Sequence, residues 1–97
     1  MKRLAFSWDI GKAAINKSKH GVSFDEARSV FYDESARIIH DPNHSEDEDR
    51  FILLGVSLKL RVLVVSHCYR GEDFVIRIIS ARKATTREKE EYGGASS

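Results

Sequence analysis

The sequence predicts an α+β domain: a small antiparallel β-sheet, two helices after its first strand, and a third helix at the C-terminus. Three observations carry this. Residues Arg61 to Arg82 hold two β-branched runs, Val62-Leu63-Val64-Val65 and Val75-Ile76-Arg77-Ile78-Ile79, joined by a short polar segment with Gly71, the pattern of a hairpin at the centre of a sheet. Asp9 and Ser23 each stand where a helix N-cap is needed, with Gly21 between them to end the first helix. Thr85 and Thr86 can cap a last helix that has Glu88 in its first turn and Tyr92 near its end.

Taken in order, Lys2 to Trp8 reads as a strand with Leu4, Phe6 and Trp8 on one face. Asp9 caps a basic helix from Ile10 to about His20. Ser23-Phe24-Asp25-Glu26 is a capping box, with Val22 and Ala27 as its hydrophobic staple. Phe24, Ala27, Val30 and Phe31 then recur at helical spacing and define a core-facing stripe that ends near Asp33. Ala36 to Asp41 reads as a second strand and Pro42 to Asp49 as an exposed acidic loop. Arg50 to Val56 is a third strand, turning through Ser57-Leu58-Lys59-Leu60 into the hairpin. Residues 1–92 are expected to form one domain, and 93–97, Gly-Gly-Ala-Ser-Ser, a flexible tail.

Composition narrows the functional classes. The chain has 97 residues, 41% of them hydrophobic and 32% charged, which suits an ordinary globular domain. No run approaches the ~20 apolar residues that span a bilayer. The opening lacks the apolar run of a signal peptide, and the single cysteine, Cys68, rules out an internal disulfide, so a reducing cytoplasm is expected. Net charge is only +1, but it is segregated. Residues 36–49 set Asp41, Glu46, Asp47, Glu48 and Asp49 against Arg37 alone, whereas in residues 50–87 only Glu72 and Asp73 oppose the many Arg and Lys side chains. A sheet this basic suits contact with a polyanion, although solvated basic side chains would look the same.

The sequence carries no glycine-rich phosphate loop or paired-cysteine site, and His20, His40, His44 and His67 lack structural zinc spacing. His40-Asp41-Pro42-Asn43-His44 with the acids behind it is better read as a solvated loop than as a divalent-metal site. Neither metal nor cofactor is expected. The remaining Arg, Lys, His and Tyr residues are those needed to cleave RNA without a metal. A base deprotonates the 2′-OH, an acid protonates the leaving 5′ oxygen, and fixed cations stabilise the phosphorane. Arg77 stands out, because a cation between Val75-Ile76 and Ile78-Ile79 needs a structural acid or an open polar face. The other candidates have structural readings too: His67 as a polar strand residue, Arg50 as a partner of Glu46 to Glu48, and Lys19-His20 as complements of the helix dipole. Strand register decides whether His67 and Arg77 share a face. Arg77 and Arg82, an odd number apart, share one only if a bulge or the strand's end reunites them.

As a set the residues resemble the BrnT family of ribonuclease toxins. The resemblance rests on Phe6-x-Trp8-Asp9 with Lys12 and Asn16, on Lys19-His20-Gly21-Val22-Ser23-Phe24-x-Glu26-Ala27, and on Val30-Phe31-x-Asp33. It continues through Arg50, Gly55, Val64-Val65-x-His67 with Arg70, and Ile76-Arg77-Ile78-Ile79-Ser80-Ala81-Arg82-x-Ala84 with Glu88 and Tyr92. It implies a RelE-like fold and the toxin of a type II toxin–antitoxin module, neutralised by an antitoxin with a ribbon-helix-helix DNA-binding domain. Any DNA contact would then come through the antitoxin. The catalytic residues expected are His67, Arg77, Arg82, Arg50, Lys19 and Tyr92, with Arg70, His20 and Lys83 binding substrate. The alternatives are an inactive toxin homologue that only pairs with its antitoxin, and a plain RNA-binding domain.

Overall fold

The computed structural model describes residues 4–40, 50–72 and 74–94; the acidic loop expected at 42–49 lies outside them. Five strands form one sheet: β1 (Phe6–Ser7), β2 (Arg37–His40), β3 (Phe51–Val56), β4 (Val62–Arg70) and β5 (Val75–Lys83), in the order β1-β5-β4-β3-β2. The β2-β3-β4-β5 pairs are antiparallel as expected, but β1 runs parallel to β5, with Phe6 opposite Ile76. The sheet is therefore mixed. Two helices and strands β2, β3 and β4 separate β1 from β5, so no tight turn forces an antiparallel pair at that edge.

Helix α1 (Ile10–His20) starts where Asp9 Oδ1 accepts from the Lys12 amide at 2.9 Å and ends at Gly21, whose φ of 70° only glycine adopts cheaply. Helix α2 (Phe24–Ser29), continued by a 3-10 turn at Val30–Tyr32, starts at Ser23, whose Oγ accepts from the Glu26 amide at 3.0 Å. The expected return bond from Glu26 to Ser23 is replaced. The buried Glu26 carboxylate takes the Arg61 guanidinium and, at 2.6 Å, the Ser57 hydroxyl, and the Arg61 bond holds its pKa below the usual range against the effect of burial. Helix α3 (Thr86–Gly94) carries the reciprocal box instead. There Thr85 Oγ1 accepts from the Glu88 amide and Glu88 Oε1 from the Thr85 amide. It runs two residues into the stretch expected to be tail.

Helices α1 and α2 cover one face of the sheet. Phe24, Ala27 and Val30 pack there with Leu53, Leu63, Val65, Ile76, Ile78 and Ala81. Helix α3 covers part of the other face, over Leu54, Val64 and Ala84, with Ile52, Val62 and Tyr92 at the margin. Asn16 joins α1 to β5. Its side-chain amide donates to the Ala81 and Val22 carbonyls at 2.8 and 2.9 Å, and its carbonyl accepts from the Ala81 amide at 3.1 Å. Because β1 pairs with β5 only at Ile76 and Arg77, Asn16 takes the place of the missing strand beside Ala81. No helix among the described residues is long and apolar enough to cross a membrane.

Replacing Asn16 by Leu should keep helix propensity but leave three buried backbone groups without partners. The expected loss is about 3 kcal/mol or more in urea unfolding, and a loss below about 1 kcal/mol would contradict the strand-substitute role.

Candidate functional site

The geometry of the site starts from one irregularity in β5. Ser66 pairs with Ser80 and His67 with Ile78, so Ile79 has no partner in the β4 ladder. An extra residue of this kind reverses the alternation of the strand that carries it. Ile76, Ile78 and Ala81 therefore all face α1 and α2, as their burial in one cluster confirms. On the opposite face Arg77 lies beside Cys68 and Arg82 beside Val64. The bulge thus reunites two arginines that a regular strand would have pointed apart.

Helix α3 occupies this second face only towards the Val56 and Val62 end. At the other end, where β4 finishes at Arg70, lies a cleft of about 100 Å³ lined by Asp9, Lys12, Arg50, Arg70, Arg77, Ile78 and Ile79. Four cations from the start of α1, the start of β3 and both arms of the hairpin meet there with Asp9, the one carboxylate of the cleft among the described residues. Such an arrangement can hold a phosphate and stabilise added negative charge on it. Of the expected residues, Arg50, Arg70 and Arg77 are brought together. Lys12 and Asp9 were missed as site residues. A cation in the first turn of a helix opposes the helix dipole, and that local conflict was the available signal for Lys12.

The other candidates lie elsewhere. Arg82 shares the face of Arg77 but is held by both oxygens of Glu88, at 2.8 and 2.9 Å, which ties β5 to the start of α3. That bidentate bond draws the Glu88 pKa down to about 2 and raises that of Arg82. The Tyr92 hydroxyl donates to Asp33 Oδ2 at 2.7 Å, and the Val56 amide donates to the same oxygen at 2.8 Å. Burial disfavours the Asp33 carboxylate, but these bonds and one from the Ser35 amide offset it and hold the pKa low; the Asp33 bond in turn raises that of Tyr92. Val56 lies opposite Val62, at the start of the nine-residue β4, so Tyr92 is most of a ~30 Å strand away from Arg70. Lys83, paired with Leu63, is at that same far end. So are Lys19 and His20, since the carbonyl of the next residue, Gly21, accepts from Arg61 at 3.2 Å.

His67, expected as general acid or base, is fully buried on the helix face, opposite in sense to Arg77. Its ring packs edge-on against Phe31 at 4.8 Å and Tyr69 at 5.4 Å, with Phe51 at 6.1 Å. Nδ1 lies 3.3 Å from the Val65 carbonyl, and Nε2 has no partner among the described residues. Burial pushes its pKa down, opposed by the Val65 contact. The imidazole is thus shielded from solvent, on the face opposite Arg77.

A family model described as ribonuclease toxin, BrnT, of type II toxin–antitoxin system matches residues 8–88. No curated protein matches the sequence significantly. Among solved structures, the chain is similar to the ribonuclease toxin BrnT of Brucella abortus. The identity is 23% and the TM-score 0.67, covering 87% of this chain and 100% of that one. At that identity the likeness speaks for the fold.

Because His67 is held neutral, the unfolded chain gains a proton below pH 6.5 that the folded chain resists, and stability should fall as pH drops through that value. A His67→Leu variant should lack this part of the decline and fold within about 1 kcal/mol of wild type at pH 8. Urea midpoints from pH 8 to pH 5 check it. The loss from Glu88 should begin separately, below pH 4.5, and continue towards pH 2.

Proposed function

The chain belongs to the BrnT family of ribonuclease toxins of type II toxin–antitoxin systems, and from that premise we propose that it cleaves RNA at the cleft formed by Lys12, Arg50, Arg70 and Arg77. The observation that carries this reading is the Ile79 bulge, which turns Arg77 onto the open face that Arg50 and Arg70 share. The arginines bind the non-bridging oxygens of the scissile phosphate and stabilise the phosphorane as the 2′-OH attacks; the P–O5′ bond then breaks, leaving a 2′,3′-cyclic phosphate and a 5′ oxygen that takes its proton from water. Fixed guanidinium groups supply the charge that a metal ion would otherwise bring, and cleavage proceeds without one.

The same geometry redistributes the remaining roles. Asp9 is the one carboxylate among the described residues of the cleft. Its Oδ1 caps α1, which leaves Oδ2 able to take the proton from the 2′-OH. Arg82 and Tyr92 hold α3 in place, and His67 packs the space under the 3-10 turn. Lys19, His20 and Lys83 lie too far along the sheet to touch the same phosphate.

Membership in a type II system implies an antitoxin partner. In our reading that antitoxin carries a ribbon-helix-helix domain, the pair touches DNA only through it, and the toxin inhibits translation in the cytoplasm by cutting RNA. The basic sheet and the type II family support this; an inactive homologue is not favoured, since the family is one of ribonucleases.

Antitoxin-free protein should cut RNA with EDTA present. Arg77→Ala should lower the rate at least about 100-fold without loss of stability. Asp9→Asn keeps a good helix cap and should lower kcat by about 100-fold or more. Arg82→Ala should instead lower the urea midpoint while the folded protein still cleaves. Full activity in Arg77→Ala would remove the cleft as the site, and loss of cutting in EDTA would remove the metal-free mechanism.

A further inference from the structure

Phe74 is a bulky residue in the left-handed region, with φ of 52°, in the turn between β4 and β5. Its amide donates to the Gly71 carbonyl at 3.3 Å, closing the turn, and its side chain is 70% exposed. Glycine, asparagine or aspartate would adopt this backbone with less strain. An exposed ring returns little of that cost through burial. Neither turn geometry nor packing therefore accounts for a phenylalanine here.

Its position does offer an account. The next residue, Val75, pairs with Arg70, and Arg77 follows two residues later on the same arm, roughly 10 Å from Phe74 along the strand. Both arginines line the cleft. The hairpin therefore ends in an exposed aromatic ring on the turn that joins the two arms carrying these arginines. Cations that follow a backbone, with aromatic side chains on which bases stack, are how single-stranded nucleic acid is held. A base inside a duplex has no free face to offer such a ring.

We propose that Phe74 stacks on an unpaired base next to the phosphate held by Arg70 and Arg77, so that the substrate is single-stranded RNA. The strained turn holds the ring clear of the protein's own core and available to the base. The inference rests on the cleft reading, and its test separates the two.

The probe is an unstructured oligoribonucleotide carrying 2′-O-methyl groups, which cannot be cleaved, measured alone and annealed to its complement by fluorescence anisotropy. Phe74→Asn should weaken binding of the single strand about tenfold, leave duplex binding unchanged, and raise the urea midpoint because asparagine relieves the turn. Phe74→Tyr should bind as wild type. If Phe74→Asn binds the single strand as tightly as wild type while Arg77→Ala does not, stacking is wrong and the cleft stands. If Arg77→Ala also binds as wild type, the cleft reading falls with it. Equal weakening for single strand and duplex, or a lower midpoint in Phe74→Asn, would also overturn the stacking role.

Discussion

The unpaired Ile79 in β5 is the constraint on which the rest of the structure depends. Ahead of it, even-numbered residues of β5 face the helices; beyond it, odd-numbered ones do. The core stays continuous across this change because Ile78 and Ala81, three residues apart, enter the same cluster. Asn16 completes the arrangement by taking both backbone groups of Ala81, two residues past the bulge, on the edge of β5 that β1 does not reach. One irregular residue thus serves two faces at once: it keeps β5 packed under α1 and α2, and it sends Arg77 and Arg82 to the other side.

The two ends of the sheet have different characters. At the end where β4 begins, polar side chains are matched with one another: Glu26 with Arg61 and Ser57, and Asp33 with Tyr92 and the Val56 amide. Arg82 and Glu88 extend the same pattern to the start of α3. These contacts fix how the helices sit on the sheet. At the end where β4 finishes, cations from three separated parts of the chain meet around a small space with Asp9, the one carboxylate there among the described residues. Such a gathering of cations is the electrostatic arrangement that recruits an anionic ligand. The proposed phosphate is that anion.

Local features of this fold were legible in the sequence because their causes are local. Asp9, Gly21 and Ser23 delimit α1 and α2 through hydrogen bonds that span three or four residues. The alternation of the hairpin located β4 and β5. Non-local pairing was not legible. Nothing near Glu26 in sequence announces Arg61, and nothing near Arg82 distinguishes a phosphate ligand from a partner of Glu88, until α3 folds back. His67 shows the limit most plainly. Its residue type and strand position fitted an acid or base, yet the 3-10 turn carrying Phe31 closes over it. The bulge was legible only as a condition: Arg77 and Arg82, an odd number apart, need a bulge or the strand's end to share a face, and the β4 register is what places the slip at Ile79.

The most direct measurement is a side-chain NMR titration of the antitoxin-free protein with a non-cleavable oligoribonucleotide, following the arginine Nε–H and lysine signals. Saturable shifts centred on Arg50, Arg70, Arg77 and Lys12, with Arg61, Arg82 and Lys83 unmoved, are the predicted result. Shifts centred on Lys19, Lys83 and Lys89, with Arg77 unmoved, would contradict it.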